Sequence, residues 1–248
     1  MTDAATNAWP AYAGIEAPGF AFRLLPAARS SPLPGGLPAQ GPQGPYRSMS
    51  RACRVTLPAD RGGDFLDWAR QTTRWFDWSD PFDGAVRRGR IADTGQLRAT
   101  LARAGAGWSA EVTVEGPLEL TAAGDAAAFH PGVQLRGDTV VRAGGRSRQH
   151  VMDSGAVMQR PVYSEGVAET DIAALLSPAQ VLPFLRWTLA ADTGEFLVVL
   201  PHDGARRRVR IAGGAAGVEY AQTAARGSAA WEARMSLYGL DSAVAPTA

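Results

Sequence analysis

Lysine is absent from the 248-residue chain, so all 25 of its basic side chains other than histidine are arginines, against 24 acids. The formal net charge is +1. That balance excludes a global field able to draw the protein onto nucleic acid or an anionic membrane. A single cysteine, Cys53, excludes an intramolecular disulfide and a cysteine-based structural zinc site, and reads as a small buried hydrophobe. Only His130, His150 and His202 are available as imidazoles, and none has a partner at metal-ligand spacing. No Gly-x-Ser-x-Gly elbow or phosphate loop occurs, and Gly144-Gly145 and Gly213-Gly214 read as loop glycines. No apolar run approaches the roughly 18 residues of a membrane span. The first ten residues carry Asp3 and lack the basic and apolar regions of a signal peptide, so the chain is expected to remain in the cytoplasm until it is assembled or released.

What the chain does contain is an internal repeat. Phe65-Leu66-Asp67-Trp68 recurs 119 residues later as Phe184-Leu185-Arg186-Trp187. Asp83-Gly84-Ala85 and Arg90-Ile91-Ala92 recur 120 residues later as Asp203-Gly204-Ala205 and Arg210-Ile211-Ala212. Trp108, Ala110 and Gly116 recur 123 residues later as Trp231, Ala233 and Gly239. Chance does not supply an ordered set of this kind, and the chain reads as a duplication.

Each copy opens with a strand, over 54–57 in the first and 172–176 in the second. A helix follows. In the second copy Ser177 is placed to cap it and Pro178 to occupy its first position. Leu182, Leu185 and Leu189 fall on one helical face, and Pro183 is expected to bend or shorten the helix. In the first copy Phe65, Trp68 and Ala69 make the stripe, with Asp64 as cap. A hairpin comes next, around Asp83-Gly84 and Asp203-Gly204, since Asp-Gly between extended runs is a strong turn signal. An alternating strand led by Trp108 or Trp231 closes each copy. The fold class expected is α+β, mainly β: two tandem β-barrel or sandwich units with one flanking helix each. The first spans 1–118 and the second 137–248, joined by a linker over 119–136. Six prolines within 26–46 mark an extended arm rather than a packed element.

Candidate sites are few. Phe65, Trp68, Trp108, Phe184, Trp187 and Trp231 repeat between copies and read as core. Arg87, Arg88 and Arg90 recur as Arg206, Arg208 and Arg210, and Arg206, Arg208 and Arg210 share one strand face. They are read as an inter-subunit salt-bridge face or, alternatively, as a channel-facing strand near passing DNA. Asp77, Asp80 and Asp83 beside Trp75 and Trp78 raise glycoside hydrolysis or sugar stacking, although Ser-Asp-Pro and Asp-Gly are ordinary turn chemistry. No catalytic, metal-binding or cofactor-binding residue is expected.

The order of these elements resembles the minor tail and distal tail proteins of long-tailed phages, the lambda-type minor tail protein M among them. Asp153-Ser154-Gly155 and Gln159-Arg160 look like a stretch that such proteins carry before the first core strand. The resemblance is closer over 150–240 than over 50–116. It implies a tail-tube-like fold and no enzyme activity. It also implies a ring at the distal tip between tail tube and hub, assembled in the host cytoplasm and carried in the virion tail. Two units per chain imply a trimer with pseudo-sixfold symmetry, with a hexamer of whole chains as the alternative. The implied partners are the chain itself, the tail tube protein, the hub and the tape measure protein, with no membrane and with DNA only in transit. A duplicated tail tube protein, a two-site carbohydrate-binding module and a small hydrolase are the competing readings.

Overall fold

The computed structural model describes residues 7–25, 28–31, 39–42, 48–71, 75–92, 98–101, 107–117, 120, 122–124, 126–136, 140–143, 147–151, 157–161, 167–225 and 228–240. The class is α+β, mainly β: among the described residues the strands are mostly antiparallel and two α-helices accompany them. The chain forms two compact units, each discontinuous in sequence. One comprises Met1–Leu25, Tyr46–Glu119 and Tyr220–Ala229; the other comprises Pro26–Pro45, Leu120–Glu219 and Ala230–Ala248.

The first unit contains β1 (Asn7–Ala8), β2 (Gly14–Leu24), β5 (Ser48–Leu57), α1 (Gly62–Gln71), β6 (Phe76–Ser79), β7 (Val86–Ile91), β8 (Arg98–Leu101), β9 (Trp108–Pro117) and most of β17 (Glu219–Ala225). Its strand order is β1-β6-β7-β9-β5-β2-β17, with β8 also on β9. The strand expected at 54–57 begins six residues earlier. Arg51, Cys53, Val55 and Leu57 point inward while Ala52, Arg54 and Thr56 are exposed, the period of two that a half-buried strand requires. Cys53 is buried.

Helix α1 buries Phe65 and Ala69 and half-buries Trp68. Asp64 is not its cap. It lies inside the first turn and pairs with Arg61 at 2.9 Å. The helix starts at Gly62, and only glycine fits there, because a Cβ on residue 62 would lie 2.5 Å from the Trp108 ring.

The second unit contains β3 (Ala28–Ser31), β4 (Ala39–Pro42), β10 (Gln134–Leu135), β11 (Val140–Ala143), β12 (Ser147–Val151), β13 (Val157–Pro161), β14 (Val167–Leu176), α2 (Pro178–Ala190), β15 (Phe196–Val199), β16 (Arg206–Ile211) and most of β18 (Ser228–Leu240). β14 pairs with β18 along its whole length, from Val167↔Leu240 to Leu176↔Trp231. β16 lies on the other side of β18, and β15 on β16. At the start of α2 the backbone N–H and the hydroxyl of Ser177 both donate to Gln180 Oε1 at 2.9 Å, with Pro178 in the first helical position. The helix runs unbroken through Pro183, whose ring faces solvent. The lost hydrogen bond costs about 3 kcal/mol, and burial of Val181, Phe184, Leu185 and Thr188 on the opposite face offsets it. Leu182, expected on that face, lies half-buried at its margin.

Two regions expected to be irregular carry structure. Within 26–46, β3 and β4 form an antiparallel ladder from Ala28↔Pro42 to Ser31↔Ala39. Pro42 ends its strand, where a missing donor is tolerated, and Pro26, Pro32, Pro34, Pro38 and Pro45 lie outside the described residues. β12 and β13 form a matching ladder in the second repeat, with Gln159 and Arg160 on β13. Gly144-Gly145 and Asp153-Ser154-Gly155 lie outside the described residues. The expected linker contains Phe129 and β10: Leu197 N–H donates to Ala127 O at 2.9 Å, and Phe129 N–H donates to Leu197 O at 2.8 Å.

Candidate functional site: the arginine hairpins

The β6–β7 and β15–β16 hairpins are built alike, and both turn on a glycine with positive φ: +75° at Gly84, +66° at Gly204. Gly84 N–H donates to Asp80 O at 2.7 Å, and Gly204 N–H donates to Leu200 O at 2.9 Å. One residue earlier an aspartate closes the turn on itself. Asp83 Oδ1 accepts from Ala85 N–H at 3.0 Å, and Asp203 Oδ1 from Ala205 N–H at 2.9 Å. Each aspartate then holds an arginine four residues on. Arg87 grips Asp83 through both terminal nitrogens, with Nη2–Oδ2 at 2.7 Å, and Arg207 Nη2 stands 2.6 Å from Asp203 Oδ2. Hydrogen bonds from these arginines hold both carboxyls below the usual carboxylate range. Neither aspartate is therefore suited to donate a proton as a general acid near neutrality.

Of the outward arginines, Arg88, Arg90, Arg208 and Arg210 are engaged within the chain. Arg90 Nη2 lies 2.9 Å from Glu115 Oε2, and its guanidinium sits 5.8 Å from the Trp75 ring centroid. Arg210 Nη2 lies 2.9 Å from Glu195 Oε1, with Arg208 4.0 Å from the same carboxylate. Arg88 reaches Asp77 at 4.0 Å. Arg206 is exposed and has no ion-pair partner among the described residues. Alternation on β16 leaves Arg206 and Arg208 exposed and buries Val209 and Ile211.

The first unit also contains a charge cluster that the second lacks. Arg51, 1% exposed, places Nε 2.7 Å from Oδ2 of fully buried Asp80. Asp80 Oδ2 also meets Arg87 Nη1 at 3.1 Å, and its Oδ1 accepts from Phe82 N–H at 3.0 Å. The Arg51–Asp80 contact is a close ion pair without hydrogen-bond alignment, and Arg51 Nη2 has no acceptor among the described residues. Burial pulls the Arg51 guanidinium below its ordinary value, while Asp80 opposes that. Of the three aspartates considered for catalysis, then, each faces an arginine. Of the neighbouring aromatics, Phe76 and Trp78 are buried and Trp75 is 44% exposed.

The repeated aromatics lie where their spacing implies. Phe65, Phe184, Trp187 and Trp231 are buried, and Trp68 and Trp108 are half-buried, with Trp108 Nε1 donating to Ala59 O at 2.9 Å. Two further members join them. Trp9 packs on Phe65, Trp68, Phe76 and Trp78 at centroid distances of 5.5–6.0 Å. Phe129 packs on Phe184, Trp187 and Phe196 at 5.1–6.1 Å. Their backbones dock identically: Trp9 N–H donates to Asp77 O at 2.9 Å, as Phe129 does to Leu197. The signal was an isolated aromatic just before a proline, Trp9-Pro10 and Phe129-His130-Pro131, 120 residues apart. His130 stacks edge-on against Phe184 and Trp187, and His202 lies 3.4 Å from Asp203.

No protein-family model matches the sequence, and no curated protein matches it.

Proposed function

We propose that the chain is a structural component of a phage or phage-like tail, forming a ring at the distal tip between tail tube and hub. In this reading each unit is a tail-tube-like β-barrel or sandwich with one flanking helix. Three chains supply six units around a channel. The observation that carries the reading is the completeness of the duplication. Lead-in aromatic, strand, helix, hairpin and Trp-led closing strand recur in order, each making the same pairings. Two near-equivalent units in one chain suit alternating places in a closed head-to-tail ring. The β3–β4 and β12–β13 ladders arise at the same point of each copy and suit contacts along the tail axis. The carbohydrate-binding alternative has less support, because only Trp75 of its aromatic cluster reaches the surface.

Light scattering with negative-stain imaging of the purified protein tests this. Rings of three copies, or six, with a central hole are expected. Long tubes would favour the duplicated tail tube alternative. A protein that stays monomeric at high concentration, alone and with tube and hub proteins, refutes the reading.

A further inference from the structure

In the first unit β2 has two neighbours. β5 lies on one side, and residues 220–225 of β17, which come from the second repeat, lie on the other. The added strand covers an aromatic: Tyr220 stacks on Phe22 with centroids 4.6 Å apart and planes 7° from parallel, and both rings are buried.

The duplication identifies the counterpart of each partner. β10 and β11 hold the place of β2, and their register with β14 is the register of β2 with β5. Gln134↔Leu175 and Leu135↔Ala174 correspond to Gly14↔Thr56 and Ile15↔Val55, and Val140↔Asp171 corresponds to Ala21↔Ala52. Even the irregularity of β2 between Glu16 and Ala21 falls where β10 gives way to β11. β8 holds the place of β17. It lies between β7 and β9 in sequence and pairs with β9 from Arg98↔Glu111 to Leu101↔Trp108. Among the described residues the outer side of β8 has no partner, and neither do the outer sides of β10 and β11. Val141 stands where Phe22 stands in the first repeat. Phe22 is 1% exposed, whereas Val141 is 45% and its neighbour Val140 52% exposed. An open strand edge carrying apolar side chains is a template for pairing with another chain.

We propose that β8 of one copy of this chain adds to the outer edge of β11 in the next copy, repeating between chains the β17-to-β2 pairing made within one chain. The partner is a second copy because the two open edges are the counterparts of the two that are already joined. Each copy offers one edge of each kind, so the contact is head to tail. Such a contact either closes into a ring or runs on as a filament. The inference rests on the ring reading only for closure; the strand pairing stands by itself.

Cysteine cross-linking of the full chain tests it, because buried Cys53 contributes no accessible thiol. A panel would combine Ala99→Cys or Thr100→Cys with Val140→Cys, Val141→Cys or Arg142→Cys in one chain, with each single variant as control. At least one double variant is expected to give an interchain disulfide ladder ending at the copy number of the ring. Single variants should stop at dimers. Val141→Lys, at an exposed edge position, should fold normally and weaken self-association at least tenfold. Rings without cross-links in any pair, and unaffected by Val141→Lys, would overturn the edge assignment and leave the ring reading standing. Cross-linked open chains without rings would support the strand pairing and remove the ring. A monomer that never cross-links would overturn both.

Discussion

The duplication provides a reference state for the buried ion pair. Arg51 stands opposite Val114 on β9, and Thr170 stands opposite Leu237 on β18 at the same point of the second copy. Asp80 begins the hairpin turn that Leu200 begins in the second. Nature has therefore written the same position once as Arg–Asp and once as Thr–Leu, all four residues being buried. Asp80→Leu alone strands the Arg51 charge in the core, a loss of about 3–5 kcal/mol. It also removes the acceptor of Phe82 N–H, about 1 kcal/mol more. Arg51→Thr together with Asp80→Leu removes both charges. What remains is the Phe82 donor and incomplete filling of the arginine stem's volume, about 1–2 kcal/mol in all. Arg87 keeps Asp83 in either variant. The double variant should thus be more stable than the single by about 2–5 kcal/mol. Urea unfolding read by tryptophan fluorescence measures it, provided the slope with denaturant stays constant. A single variant within about 0.5 kcal/mol of the double would refute the reasoning, since it would mean Arg51 reaches water or another anion.

Gly84→Ala and Gly204→Ala should each cost about 1 kcal/mol and to a similar degree, because both have positive φ and open space around the missing Cβ. Gly217→Ala should cost several times more, since its Cβ would collide with Ala212 O, and thermal unfolding separates the three. Burial, with the Asp80 charge adding to it, pushes the Cys53 thiol up to about 12. A disulfide reagent near pH 8 should therefore leave the native protein untouched and titrate one thiol after denaturation; reaction in the native state would contradict the packing. The depressed Asp83 and Asp203 carboxyls contribute stability that is present above their unfolded value of about 4 and is lost as pH falls through their folded values. The denaturant midpoint should fall in that acid window, and Asp83→Asn with Asp203→Asn should flatten the fall; an unaltered acid limb would remove these pairs from the account.

What could be read in the chain before the fold was known followed from short-range chemistry. The Asp-Gly turns, the Ser177–Pro178 helix start and the alternation of Trp231, Ala233, Met235 and Leu237 are local rules, and each is present. Pairings that depend on distant sequence were not legible. Arg51 sits on an inward position of its strand, but nothing nearby announces that Asp80 will meet it. Phe129 lies in the stretch read as a linker and Trp9 ahead of the first expected strand, and their role appears only once α1 and α2 supply rings to pack against. The arginine strands showed their alternation in sequence. Their partners, Glu115 and Glu195, came from residues that spacing gave no reason to choose.

The two copies diverge in a way that separates backbone demands from side-chain volume. One glycine is kept in both copies: at Gly116 a Cβ would lie 2.5 Å from Arg88 O, and at its counterpart Gly239 it would lie 2.9 Å from Val209 Cγ1 and 3.2 Å from Arg208 O. Where only side chains meet, the residues change as a set. Trp78 packs against Gly89, whose Cβ would come within 3.1 Å of the indole and 2.6 Å of Val114. In the second copy Val198 and Val209 take these two places, one shrinking as the other grows. Volume-conserving exchange of this kind is what a packed core tolerates best, and Arg51–Asp80 against Thr170–Leu200 is its charged equivalent. A substitution that crosses only one member of such a set, Gly89→Val beside an intact Trp78, breaks the rule and should be far worse than either copy's own pairing. The low identity between the copies is thus compatible with one architecture, because the positions free to vary are those whose neighbours vary with them.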